Sequence, residues 1–170
     1  MKSKAKIVSL GSLRKSVSRL RKRGKKIAFT NGCFDILHYG HINYLEKASR
    51  QGRVLIVGLN SDNSVRKIKG PLRPIVPQQE RAAVLAALAC VDFVTIFKEP
   101  TPLNLIKAVK PDVLIKGADW KGKEVVGAGL VRSRGGRVEL IKYVQGKSTT
   151  NIIKAVLKKC AAKTKKRSTA

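Results

Sequence analysis

Ile27-Ala28-Phe29-Thr30-Asn31-Gly32-Cys33-Phe34-Asp35-Ile36-Leu37-His38-Tyr39-Gly40-His41 is the stretch whose reading decides the fold. Ile27–Thr30, entered from Lys25-Lys26, is an apolar run too short for a helix, and the turn residues Asn31-Gly32 follow it at once. It predicts a strand. A helix is expected to open near Gly40, because His41, Tyr44, Leu45 and Ala48 recur at helical spacing. Both histidines of the chain therefore fall between a strand end and a helix start. Three residues apart, they lie about one turn from each other and can face a single anion.

Working outward, the pattern of strand and helix repeats. Upstream, Leu10, Leu13, Val17 and Leu20 predict an amphipathic, strongly basic helix, with Ser12 as its cap and Gly24 closing it. Downstream, 54–59 (VLIVGL) is a continuous apolar run of the kind buried on both faces of a parallel sheet. A polar stretch ends in 67–74 (KIKGPLRP), which its glycine and prolines mark as a loop. Residues 77–89 read as a helix with Pro77 in its first turn and Val84, Leu85 and Leu88 on one side.

A third strand is expected at 93–97, then a short helix opened by Thr101 as cap and Pro102 at its first position. A fourth strand follows at 113–116, a weaker helix at 123–134 and a fifth strand at 137–144. Ser148 is then expected to cap a last helix with the apolar stripe Ile152, Ile153, Val156 and Leu157. Strands alternating with helices predict an α/β fold: a doubly wound, Rossmann-like parallel sheet of five strands with helices on both faces. The organisation expected is a basic segment and helix at 1–24 packed on the domain, one catalytic domain at 25–160, and a basic disordered tail at 161–170.

The formal charge of +27 is unevenly placed. No acid precedes Asp35 and none follows Glu139, and the flanks 2–26 and 154–167 hold 18 of the 37 basic residues. The middle keeps 19 basic residues against all ten acids, a net +9, moderate enough for a domain that handles phosphate substrates. Basic flanks also suit weak nonspecific binding of nucleic acid. With one Trp, three Tyr and four Phe, however, the chain lacks the stacking platforms of a single-strand reader. Cys33, Cys90 and Cys160 are odd in number, widely spaced and without a Cys-x-x-Cys pair, which points away from a disulfide framework and from zinc. No apolar run is long enough to span a bilayer, and a cytoplasmic protein is expected.

Ligands of open α/β sheets bind outside the carboxyl ends of the strands. That rule gathers Thr30 to His41, Asn60-Ser61-Asp62, Lys116-Gly117-Ala118-Asp119 and Gly146 to Thr150, with Lys67, Lys69 and Arg73 on the loop beyond the second strand. Histidines, lysines and a hydroxyl-rich helix start suit a polyphosphate undergoing transfer, where positioning and charge neutralisation carry the catalysis. Each residue also has a plainer reading. A lone histidine is as often a satisfied core residue, Lys67 and Lys69 are ordinary surface charges, Ser148-Thr149-Thr150 an N-cap, and Asp35, Asp62 and Asp119 structural carboxylates. The histidine pair around Gly40 tips the balance, since glycine lets a ligand approach the backbone.

Asn31-Gly32-x-Phe34-Asp35-x-Leu37-His38-x-Gly40-His41 resembles the HxGH signature of the nucleotidyltransferase superfamily. The closer likeness is to the heptose-1-phosphate adenylyltransferases of lipopolysaccharide core assembly, found alone or as the second domain of a bifunctional kinase/adenylyltransferase. It rests on Asn60-Ser61-Asp62, Lys69-Gly70 with Arg73-Pro74, Glu80-Arg81, Lys116-Gly117-x-Asp119 and the run 148–153 (STTNII), and covers roughly Leu10 to Lys158.

The resemblance implies a reaction of ATP with a sugar 1-phosphate, namely D-glycero-D-manno-heptose 1-phosphate, that gives ADP-heptose and pyrophosphate. It implies His38, His41 and Lys69 as catalytic residues. Thr30, Asn31, Phe34, Gly40, Asp119, Ser148, Thr149 and Thr150 would bind the nucleotide, and Asp35, Asp62, Lys67, Arg73 and Lys116 the acceptor and phosphates, with Arg81 in support. Mg²⁺ would come with the triphosphate and without a side-chain cage. A homodimer and a separate sugar kinase are further implications.

One departure concerns the base. Related cytidylyltransferases carry Arg-Thr-x-Gly before the Ser-Thr run, where this chain has Tyr143-Val144-Gln145-Gly146. That disfavours a CTP-dependent enzyme acting on glycerol-3-phosphate or ethanolamine phosphate, with Lys147 or Lys142 as substitutes for the missing charge. Asp119-Trp120-Lys121-Gly122 pulls the other way.

Overall fold

The computed structural model describes residues 2–167, with side chains from 3 to 161. Its elements, in chain order, are α1 (Leu10–Lys22), β1 (Ile27–Gly32), α2 (Tyr39–Ala48), β2 (Val54–Asn60), α3 (Asp62–Lys69), α4 (Gln78–Ala87), β3 (Phe93–Phe97), α5 (Leu103–Val109), β4 (Val113–Gly117), α6 (Ala128–Arg132), β5 (Arg137–Ile141) and α7 (Thr149–Arg167). Short 3-10 turns occupy Lys2–Lys6 and Ala118–Trp120.

All five strands are parallel, in the order β3-β2-β1-β4-β5. The chain thus winds outward on one side of β1, then crosses over it to begin again at β4. Two apolar clusters cover the two faces. One centres on Leu45, Leu55, Leu59, Leu85 and Ile115, and the other on Leu13, Phe29, Ile56, Ile106 and Leu114. Alternation along β1 and β2 divides the clusters, because successive side chains of a strand point to opposite faces. Leu13 and Val17 are buried in the second cluster, so α1 is packed into the domain's core. The Lys6 ammonium donates to the carbonyls of Leu88 (3.0 Å) and Val91 (2.7 Å), just past the end of α4.

Several local readings are corrected. Ser9, with extended backbone and a side chain accepting from Ser12 N, is the cap of α1 in place of Ser12. Residues 62–69 form a helix, so Lys67 and Lys69 are helical and only Arg73 stands on the loop. Ser61 caps that helix and Gly70, at φ +94°, ends it. Its buried face holds Ser64 and Val65 alone, too little for an apolar period to be visible. In α4 the buried face is Arg81, Ala82, Leu85 and Ala86, while Val84 is exposed. Pro102 and not Thr101 precedes α5 as its cap residue, with no side-chain bond, and the expected helix at 123–134 contracts to Ala128–Arg132. The fifth strand stops at Ile141. Helix α7 carries the chain through 161–167 of the segment expected to be a disordered tail, and the rest of that segment, 168–170, lies outside the described residues.

Candidate active site

The sheet reverses its winding between β1 and β4, and the two strands pair only at Ala28–Val113 and Phe29–Leu114. Beyond that point β1 stays paired with β2 as far as Gly32–Leu59, leaving a crevice at its carboxyl end on the β4 side. This is the switch point at which α/β sheets bind ligands. A cavity of about 650 Å³ opens there, walled by the loop after β1, the end of β4 and the segment from Tyr143 to Thr150.

The histidines form one wall. His38 takes the cap position of α2 in extended backbone, leaving its ring free of the cap bond. The rings of His38 and His41 stack at 3.9 Å between centroids, and Phe34 leans on His41 at 5.3 Å. Gly40 makes this possible: a Cβ there would lie 3.0 Å from His38 Nδ1 and 3.2 Å from Lys147 Cβ. The Nδ1 atoms of both histidines are buried without a hydrogen-bond partner. Burial, then the charge of Lys147, lowers the His38 pKa; burial, then His38 itself, lowers that of His41 to about 4. Both rings are therefore neutral near pH 7, each with one donor and one acceptor.

Facing them is the start of α7. Thr149 Oγ1 donates to the Ile36 carbonyl (3.3 Å), which ties this helix to the histidine loop, and Ser148 Oγ accepts from Asn151 N (3.1 Å). The crevice is thus flanked by two helix N-termini, whose first N–H groups have no intrahelical partner. Between them stand Lys69, Arg73, Lys116 and Lys147, against the single carboxylate of Asp35. Lys116 is buried, donates to Asn31 Oδ1 across the switch point and lies 5.1 Å from the Trp120 ring. Burial brings its ammonium down to about 8, with nearby Asp119 opposing.

Asp35 faces the crevice but is already engaged. It accepts from Ile75 N, Val76 N (2.9 Å) and the Arg73 guanidinium. Burial works against its charge; the two backbone groups and Arg73 outweigh that and hold the carboxyl below the usual range. Behind it, Arg81 ties two loops to the β2–α3 junction, donating to Val76 O (2.9 Å), Cys33 O, Asn60 O (3.0 Å) and Asp62 Oδ1 (2.7 Å).

Most of the residues expected at the site meet here: Asn31, Phe34, Asp35, Gly40, His38, His41, Lys69, Arg73, Lys116 and Ser148, Thr149 and Thr150 all line the cavity. Four do not. Thr30 is buried beneath it, with its hydroxyl 2.7 Å from that of Tyr44. Asp62 is held in the Arg81 pair, Lys67 is exposed outside the wall, and Asp119 is exposed next to Tyr143, off the cavity wall. Of the two lysines considered for the missing arginine, Lys147 lines the cavity and Lys142 does not.

Sequence reasoning passed over Tyr143 and Tyr44. Their rings stack at 6.1 Å, and Tyr143 lies so close over the end of β4 that a Cβ on Gly117 would meet its hydroxyl at 2.0 Å. Burial, then Asp119, pushes the Tyr143 phenol up to about 12. The only signal available was a glycine at a strand end, which marks a close approach without naming the partner. As for a metal, the described residues contain no group of three His, Cys, Asp or Glu able to hold one. The carboxylate nearest the crevice, Asp35, is committed to Arg73 and the 75–76 backbone.

Residues 29–155 match the cytidylyltransferase-like family. The chain belongs to that family. The bifunctional protein HldE of Syntrophotalea carbinolica is 57% identical over 86% of this chain, and that of Geobacter metallireducens 55% identical over 92%. The chain spans only 30% and 32% of those relatives' length. Among solved structures, a lipopolysaccharide core biosynthesis protein from Thermoplasma volcanium is 29% identical, with a TM-score of 0.58 over 72% of this chain and 98% of its own. In this cytidylyltransferase-like domain the match begins in β1 and ends in α7, so it encloses both helix N-termini of the crevice.

Proposed function

We propose that the domain transfers AMP from ATP to a sugar 1-phosphate, with heptose 1-phosphate as the acceptor, releasing pyrophosphate. The observation that carries this reading is the stacked His38–His41 pair, unbonded within the protein, set between two helix N-termini and a group of lysines. Such an array is pre-organised for a triphosphate and costs no rearrangement as charge develops. An oxygen of the sugar phosphate attacks the α-phosphorus in line. The bond from that phosphorus to the bridging oxygen breaks, and pyrophosphate leaves with the electron pair.

In this scheme His38 and His41 donate hydrogen bonds to the α-phosphate and the departing pyrophosphate. Lys69 and Lys147 neutralise it, and the N–H groups at Thr149 and Thr150 cradle its outer phosphate. Lys116 and Arg73 meet the acceptor phosphate. Mg²⁺, held by the phosphates themselves, supplies further charge neutralisation when it is bound, and no residue of this chain is assigned to it.

The likeness to the bifunctional HldE proteins supports the heptose acceptor and a sugar kinase acting before this step, carried by residues other than these. A cytoplasmic homodimer belongs to the same reading. The test is pyrophosphate release with ATP and CTP, each offered heptose 1-phosphate, glycerol-3-phosphate and ethanolamine phosphate. The expected result is turnover with ATP and heptose 1-phosphate. Turnover only with CTP and either alcohol phosphate would replace this function with a cytidylyltransferase.

A further inference from the structure

Helix α7 does two unrelated things along its length. Its first turn closes the crevice; beyond that, every residue from Lys154 to Ala161 is exposed. The expected apolar stripe of Ile152, Ile153, Val156 and Leu157 is therefore not a core stripe. The two isoleucines are half-buried, while Val156 and Leu157 are 54% and 63% exposed. On a helix these four share one face, since they fall at i, i+1, i+4 and i+5. Lys154 flanks the stripe on the Leu157 side and Lys159 on the Ile152 side. Neither lysine forms an ion pair among the described residues.

Charge decides what can cover this face. No acid follows Glu139 anywhere in the chain, whereas α7 carries Lys154, Lys158 and Lys159 within its described side chains. Two copies packed through α7 would set lysine against lysine with no carboxylate between them. An exposed apolar stripe bordered by lysines has the chemistry of a helix lying in a lipid interface, with the ammonium groups reaching up to phosphates. We propose that α7 docks on an anionic lipid surface, seating Val156 and Leu157 at the headgroup boundary while Lys154 and Lys159 meet the lipid phosphates. The catalytic reading of the crevice is not needed for this.

The experiment is co-sedimentation of the full 170-residue chain with vesicles of phosphatidylcholine alone and with vesicles enriched in phosphatidylglycerol. Binding is expected to the anionic vesicles only. A variant with Val156→Ser and Leu157→Ser is expected to lose it by at least about tenfold. Lys154→Gln with Lys159→Gln is expected to weaken it by about 25-fold, at about fivefold for each lysine. Circular dichroism checks that both variants fold, and pyrophosphate release is expected to stay unchanged. Equal binding to both vesicle types, or to neither, overturns the proposal. So does anionic binding that survives the Val156/Leu157 change, which would move the contact to the basic face of α1. A dimer seen by light scattering, and lost in that same variant, would give the stripe to a second copy and overturn it too.

Discussion

Arg81 and the His38–His41 pair both take polar atoms out of water beside the same crevice, and they do so in opposite ways. Arg81, 1% exposed, spends its guanidinium on four partners drawn from two loops and the β2–α3 junction. The histidines bury Nδ1 atoms that meet nothing. A buried donor with all its partners holds a fold together, whereas one left without partners lowers stability and is retained where something else binds it. The difference separates structure from chemistry among buried polar residues beside one crevice, and it can be put under strain from both ends.

The largest effect is expected at the satisfied end. Arg81→Met leaves the Asp62 carboxylate and the carbonyls of Cys33, Asn60 and Val76 without their donor, which costs about 3–5 kcal/mol. Urea unfolding should register that loss; a variant as stable as the parent would remove Arg81 from the frame of the site. At the unsatisfied end, His41→Ala should cut turnover by at least about 100-fold while leaving the urea midpoint unchanged or raised. Comparable losses in both measurements would erase the contrast.

Lys116 stands between the two, with one hydrogen bond to the protein, from its ammonium to Asn31, and a lowered pKa. Lys116→Met should weaken substrate binding about tenfold, read as a rise in KM. Burial lowers its ammonium pKa to about 8, so binding in the parent enzyme should fall as pH rises through that value. The variant should lack that fall.

Stability should carry the mark of the histidines as well. His41 titrates at about 4 in the folded chain against 6.5 as its ordinary value. Between those values the unfolded chain binds more protons, so stability declines as pH drops from 6.5 to 4 and the decline levels off below. Melting temperature against pH should show this slope, and His41→Ala should flatten it. The smallest effect belongs to Lys67, outside the cavity wall: Lys67→Ala should leave kcat/KM within about twofold, with Lys69→Ala as the contrasting loss.

The parts legible from residue order were those governed by local periodicity. The five strands, the helix after Gly40 and the hydroxyl-rich start of α7 all follow from apolar spacing and turn residues, and the parallel sheet follows from their alternation. Helix α3 was not legible, because a helix that buries little more than Val65 has no apolar period to read. Nor was the fate of Asp35, Asp62 and Asp119. A carboxylate in a motif looks the same whether it waits for a ligand or is already bonded to Arg73 and two backbone amides.

The sequence by itself determined the fold class, the placing of two histidines and a Ser-Thr run at helix starts, and the membership of a phosphate-handling family, because each is written in neighbouring residues. Only the tertiary structure decided which polar groups are spoken for. That depends on contacts between residues far apart in the chain: Arg81 with Cys33, Thr149 with Ile36, Lys116 with Asn31, Tyr143 over Gly117. Such partners are fixed by which strand ends the order β3-β2-β1-β4-β5 brings together, and spacing along one segment carries no information about them.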